Sequence, residues 1–532
     1  MEAAEVPPVG EGTVAEGAVR RNRAASGLRV AACVVLEIAM VAAPWMMGSM
    51  QHWAIILLCI ALTVMTSCWL VSVWLARRLS LLSGYVVLPV LFLLLSGWLA
   101  VLTGPHVEAD SFNVKHYADL ATRWPGSFMV KTPVETMWLC AGLLGALMLV
   151  VDSETGARWR RRFYTTLAVV GASVVLLGIV QVLTHARAIL WDATEPFTGR
   201  FFATFFEESV GGAFVCMVWP LAAGGLMARL CVPGVMSREQ WVRAGGWGAM
   251  LVVMLCGQSA QGSLFGFVNA VIVASLFVGW ILWRLPLRNL GRFGIRCGWM
   301  LAICVIAVAG VGAVSGQWPV VKSHWGELHI FRRAPAPEGA PPQRPFRMRP
   351  EGWIDSPDAA ELQGSGIFGG QWRKVTMTCL RMIPRAGLLG FGPGTWSETY
   401  PRFTDDPWVR TYYLQMQFAR QDFLQGLVEW GVLGAAAWAV LIGGAFRGGG
   451  YRLRRYRGTA GPIDMEEGMV AGAMGALVGV LLEAVGDFPL QVPSIQLYVV
   501  VLLGFLWSAG FRRTPLAVRT APQDVVSKVG AT

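Results

Sequence analysis

The sequence predicts an all-α polytopic membrane protein of about twelve transmembrane helices, with a large helical extracytoplasmic loop before the tenth. Three observations predict it. Of 532 residues, 55% are hydrophobic and only 14% charged, against roughly 25% charged in soluble domains, and mean hydropathy is +0.52. Apolar stretches of about 20 residues, the length that crosses a bilayer, recur along the chain. Arginine clusters occupy every second connection between those stretches, which is the positive-inside pattern.

In chain order the spans fall near 30–49, 53–75, 84–103, 133–151, 165–184, 210–228, 244–258, 263–283, 297–316, 423–446, 467–485 and 490–510. The first is a poor signal peptide, because its apolar run is too long and no small-x-small cleavage site follows. Basic clusters such as Arg20, Arg21 and Arg23, Arg158 with Arg160 to Arg162, Arg284 to Arg296, and Arg512 with Arg513 alternate with connections almost free of Lys and Arg. That alternation makes residues 1–28 and 511–532 cytoplasmic tails. It assigns 29–316 to spans one to nine, 317–422 to an extracytoplasmic loop domain, and 423–510 to the last three spans. The net charge of +11 is therefore topological and not the footprint of a nucleic-acid partner.

Most of the ten cysteines sit within spans or near their ends, and Cys379 alone is in the large loop, so no disulfide framework is expected there. With no CxxC or Cys/His cluster, neither a structural zinc site nor any other metal or cofactor is expected. Trp45, Trp53, Trp219, Trp283 and Trp299 read as interfacial anchors near span ends.

The large loop carries most of the chemistry. A Pro-rich stretch at 335–350 reads as an extended linker. From Gln371 to Ile383, the apolar residues Val375, Cys379, Met382 and Ile383 recur at helical spacing, while Lys374, Arg381 and Arg385 share one face. That basic stripe suits a lipid phosphate or pyrophosphate, and equally suits a solvated helix face. Next, GLLGFGPGTW (387–396) demands a tight turn around Pro393. It has no Walker lysine and no strand before it, which argues against a nucleotide loop. At the start of the tenth span, Asp422, Gln425 and Glu429 line one helix face behind Arg420 and Gln421. A carboxylate inside an apolar helix marks a functional site by default. Glu37, Glu483 and Asp487 raise the same question, with pairing between helices as the plainer reading, and Asp422 also reads as a cap of its own helix.

These features resemble the O-antigen ligase and polymerase superfamily of bacterial envelope glycosyltransferases. GFGPGTW followed by ARQDFLQGLVEWGVLG matches that family's loop motifs in order and spacing. ATFFEESVGGAF (203–214) is similar to its segment leading into the sixth span, and DFPLQVPSIQLYVVVLLG (487–504) to the start of its last span. The departures are specific. Arg420 stands where the family has a histidine, Gln261 in place of an arginine, Ser209 in place of an asparagine, and Arg373 or Trp372 near a loop arginine.

The resemblance implies transfer of a glycan from an undecaprenyl-diphosphate carrier to an acceptor sugar hydroxyl, such as one on lipid A core. It implies no metal, and an active face on the periplasmic side of the bacterial inner membrane. In that reading Arg200, Arg373 and Arg420 hold phosphate, Lys374, Arg381 and Arg385 assist, and Gln261 contributes hydrogen bonds. Asp422 or Glu429 would act as base, or one of His116, His185, His324 and His329. A catalytically lapsed homologue that serves as a glycolipid-binding or assembly subunit is the second reading, motivated by the replaced histidine and arginine. A lipid-linked sugar transporter is the third, and the absence of an internal repeat counts against it.

Overall fold

The computed structural model describes residues 11–76, 84–103, 131–152, 155–186, 188–191, 201–230, 236–261, 264–284, 370–404, 418–456 and 463–511. Among these the protein is helical, with no strand and one isolated bridge between Phe202 and Phe205. The helices are α1 Glu11–Trp45, α2 His52–Ala76, α3 Gly84–Thr103, α4 Lys131–Val151, α5 Gly156–Leu183, α6 Glu208–Leu230, α7 Arg238–Ala260 and α8 Leu264–Arg284. They continue with α9 Gly370–Ala386, α10 Trp396–Phe403, α11 Asp422–Arg454, α12 Met465–Gly486 and α13 Pro493–Phe511. Ten of them are long and apolar enough to cross a membrane: α1 to α6, α8 and α11 to α13.

Those ten coincide with ten of the twelve expected spans. The expected seventh, 244–258, is helical as α7, but it falls outside the membrane-crossing set. Its first two turns hold Arg238, Glu239 and Arg243, and Ser237 closes a capping box with Gln240. The expected ninth, 297–316, and the linker at 335–350 lie outside the described residues.

Helix bounds differ from the expected apolar runs at several places. α1 begins at Glu11, well ahead of the run expected from 30. The chain turns at Met47–Ser49 instead of staying helical to 49. α5 starts at Gly156, and α11 runs on to Arg454. A helix continues past its apolar stretch wherever its backbone bonds can, so charged turns extend it at either end.

α6 and α13 form the centre. The apolar stretch of α6 is 94% buried and that of α13 is 89% buried, whereas that of α8 is 22% buried. A helix apolar all round belongs inside a bundle. α6 packs most extensively on α12, and small residues make the approach close. A Cβ on Gly224 would sit 2.2 Å from the Gly468 carbonyl oxygen, and one on Gly479 would sit 2.5 Å from that of Cys216. Trp219 lies in this seam, 4% exposed and against Phe277. It is a core residue and not the interfacial anchor expected; Trp45, Trp53 and Trp283 do stay exposed. At the arginine-bearing end, Arg284 of α8 is paired with Glu467 of α12 at 2.6 Å, both side chains almost fully buried.

A second, smaller core caps the other end. Val375, Cys379 and Met382 of α9 pack with Phe391, Trp396, Tyr400, Ala419 and Val428. The helical stripe expected at 371–383 is this buried face, and burial pushes the Cys379 thiol up to about 12.

Candidate functional site

The cap is joined to the bundle by a break in α11. Gly431 has φ 64 and ψ −175, a backbone region open in practice only to glycine. In an unbroken helix, the carbonyls of Val428 and Glu429 would accept from residues 432 and 433. Here they accept from the loop instead: Phe391 N–H donates to Val428 O (3.0 Å) and Gly392 N–H to Glu429 O (2.9 Å). The freed Leu433 N–H donates to Leu388 O at 3.0 Å. Three backbone bonds thus seat the glycine turn in the broken helix. The approach leaves no room for a side chain, since a Cβ on Gly390 would lie 2.1 Å from Glu429 O.

Glu429 completes the junction. Its carboxylate, 4% exposed, accepts from Trp396 N–H (3.2 Å) and from Gln425 Nε2 (3.1 Å). It therefore serves the N-terminus of α10, where Thr395 makes no side-chain cap. Gln425 in turn accepts from Ala419 N–H at 3.0 Å.

Asp422 does not cap its own helix. Gln421 holds the cap position without a side-chain bond, and Asp422 reaches across to the last span. Leu490 N–H (2.7 Å) and Gln491 Nε2 (3.1 Å) both donate to its carboxylate. It holds the turn Pro489–Gln491 that starts α13. Asp422→Asn should accordingly destabilise the protein by about 1–3 kcal/mol, the usual cost of an ill-matched buried hydrogen bond. Binding of a diphosphate ligand should change little, and thermal unfolding beside a ligand titration separates the two effects.

Arg420 offers an exposed charge at this end. It has a left-handed backbone, φ 51, and its side chain is 47% exposed. Its Nη2 lies 3.3 Å from the Glu207 carboxylate, just ahead of α6. Asp487, which ends α12, is 7% exposed and accepts from Ser209, and it also feels the Arg420 charge. Burial raises the Asp487 carboxyl above its ordinary value, against the pull of Arg420 and Ser209. Burial pushes Glu207 up to about 7, with Arg420 drawing it down and Asp487 adding to the rise. Its side chain nonetheless keeps 36% exposure, enough to meet a ligand.

Arg420 therefore brings the start of α11 against Glu207, just ahead of α6, and close to Asp487 at the end of α12. Lys374, Arg381 and Arg385 are exposed on the face of α9 opposite its buried stripe, as the spacing predicts. Gln261 is elsewhere: it ends α7, 2% exposed, with its amide against Gly212 and Gly266 and neither polar atom bonded among the described residues. Near it Glu483 accepts from Asn269 Nδ2 (3.1 Å), and the Cys216 thiol is 3.4 Å away. Glu37 pairs with Arg162 at 2.7 Å, the plainer reading for that residue. Arg200, His116, His324 and His329 lie outside the described residues, as do the side chains of Trp372 and Arg373, although the backbone of Arg373 is in α9. His185 is exposed in the turn after α5. No group of three or more His, Cys, Asp or Glu poised for a metal occurs among the described residues.

Glu207 escaped the sequence reading. The available signal was the Glu207–Glu208 pair immediately ahead of an apolar helix, a costly place for two carboxylates without a polar partner. No protein-family profile matches the chain, and no curated protein matches it either.

Proposed function

We propose that the chain is a metal-independent glycosyltransferase that moves a glycan from an undecaprenyl-diphosphate carrier to an acceptor hydroxyl, in the manner of the O-antigen ligases it resembles. The inner membrane of a bacterium, with the Arg420 end facing the periplasm, is the setting that reading requires. The observation that supports it most is the half-exposed Arg420–Glu207 pair. A guanidinium there can neutralise a leaving diphosphate. A carboxyl held near 7 beside it can take a proton.

The chemistry balances on these two groups. The acceptor oxygen attacks the anomeric carbon, and its proton passes to the Glu207 carboxylate. The bond from the anomeric carbon to phosphate oxygen breaks, and the electron pair leaves with the polyprenyl diphosphate held by Arg420. Glu207 fits the base role better than Asp422 or Glu429, whose buried carboxylates hold backbone N–H groups.

The test is transfer of a lipid-linked glycan by purified protein in proteoliposomes. Arg420→Ala should lower the rate about 10²–10³-fold, the range for losing one donor to a developing oxyanion. Glu207→Gln should lower it about 10²–10⁴-fold. Unchanged transfer in both variants would remove this pair from consideration. A glycolipid-binding role without chemistry is the second reading. Gln261, neutral and buried where the resemblance implies an arginine, favours it. Donor binding without transfer by the wild-type protein would select that reading.

A further inference from the structure

α9 stands alongside the first half of α11. Thr376 Oγ1 donates to Gln421 Oε1 at 3.3 Å, and farther along Leu433 N–H donates to Leu388 O at 3.0 Å. Thr376 and Leu388 are separated by as many residues as Gln421 and Leu433, about 18 Å of helix rise. The two helices therefore run side by side in the same direction. Arg385 comes level with Trp430, and Arg381 with Gly426.

Two properties of the outer face of α9 narrow what it meets. The first is apolar exposure. Met377 and Leu380 are each 49% exposed, and Leu388, just past the helix, is 64% exposed. Leu388 extends the outer surface of α11, where every exposed position between Asp422 and Arg447 is apolar, Val432 and Leu433 among them. A run of large apolar side chains on one face, continuous with that of a membrane-crossing helix, is the mark of a surface with an apolar partner. The second property is charge. Lys374, Arg381 and Arg385 are exposed on this same face, and the sequence from Gly370 to Trp396 contains no Asp or Glu. The partner is therefore apolar beside Leu388 and anionic beside the arginines.

Helix length puts both requirements at one depth. About 20 residues of helix cross the hydrocarbon layer of a bilayer. Counted back from Arg447, the exposed charge that ends the apolar run of α11, they finish near Leu427. By that count Leu388 falls inside the layer, while Arg385 and Arg381 fall on either side of its edge. Lipid phosphates lie just beyond such an edge, within reach of long basic side chains.

We propose that the outer face of α9 docks on the bilayer itself, with Arg381 and Arg385 on the phosphates of anionic phospholipids and Leu388 among their acyl chains. The surface fastens the cap to the membrane, and it does not depend on the glycosyl-transfer reading.

The experiment uses the full chain in nanodiscs of equal phosphatidylglycerol and phosphatidylcholine. The photo-crosslinking residue p-benzoylphenylalanine replaces Leu388, and the adducts formed on illumination are identified by mass spectrometry. Position 388 should capture phospholipid, with phosphatidylglycerol preferred about tenfold. In the Arg381→Gln, Arg385→Gln double variant, phospholipid capture should persist while the preference falls to about twofold or less. Arg158→Gln, an exposed position on α5, should leave the preference unchanged. Raising the salt should weaken the preference in the parent protein without any substitution, which covers the case of a double variant that does not fold. No phospholipid adduct at 388, or a protein adduct in its place, would overturn the proposal. So would equal capture of the two lipids by the parent protein, or a preference that survives the double substitution. Loss of the preference on adding equimolar undecaprenyl diphosphate would assign the arginines to a lipid-linked donor and overturn it as well. None of these readouts requires glycan transfer, so the two proposals fail separately.

Discussion

Gly431→Ala is expected to release the glycine loop from the bundle while leaving the membrane helices intact. Alanine cannot hold φ 64 with ψ −175 without strain of about 1–3 kcal/mol. Its Cβ would also stand 2.4 Å from the Gly390 nitrogen and 2.5 Å from Leu388 O. The strain-free alternative is a continuous helix, in which residues 432 and 433 reclaim the carbonyls of Val428 and Glu429. Phe391 and Gly392 then lose their acceptors, and Leu388 O loses its donor. Three backbone bonds go at once, at roughly 0.5–1.5 kcal/mol each. Amide exchange across 387–404 should rise by orders of magnitude in this variant, while exchange in α6 and α12 stays slow. Unchanged protection of the loop would mean that something other than the helix break holds it down.

The fold was legible because a bilayer imposes simple rules. Each of the ten membrane-crossing helices announces itself as an apolar run, since a lipid-spanning segment must satisfy its own backbone bonds. The amphipathic helix α9 was legible from its spacing, and so was the shared face of Asp422, Gln425 and Glu429. Partners across the bundle were not. Periodicity shows that Asp422 points inward, but not that it spans to Leu490, 68 positions away. Nor does the sequence reveal that Glu429 serves a short helix the pattern does not predict, α10, whose start it bonds from 33 positions downstream. Glycine content marked the loop as tight, yet the complementary glycine at 431 gained its meaning only from the backbone it meets. Trp219 was misread because hydropathy sees an aromatic residue in a span and cannot see which helix lies beside it. Glu207 was missed because its partner, Arg420, is 213 positions distant.

Donor binding and glycan transfer should respond to pH in opposite directions, with a shared midpoint near 7. Above that value Glu207 is ionised, pairs with Arg420 and competes with a diphosphate for the guanidinium. Below it Glu207 is protonated and Arg420 is released, so donor affinity rises as pH falls. A protonated Glu207 cannot accept the acceptor's proton, so the transfer rate falls over the same interval. Glu207→Gln removes both dependences, leaving donor binding strong and flat with pH and transfer slow throughout. Stability carries the same signature. The folded-state value of Glu207 is raised from 4.5 to about 7, so the folded protein holds this proton more tightly than the unfolded chain does. Its contribution to stability is therefore greatest below about pH 4.5 and is lost as pH rises through 7. Asp487 is raised by burial as well and adds a contribution of the same sign. Donor affinity that moved in parallel with the transfer rate would sink the paired roles, because a single base without the competing ion pair predicts that behaviour.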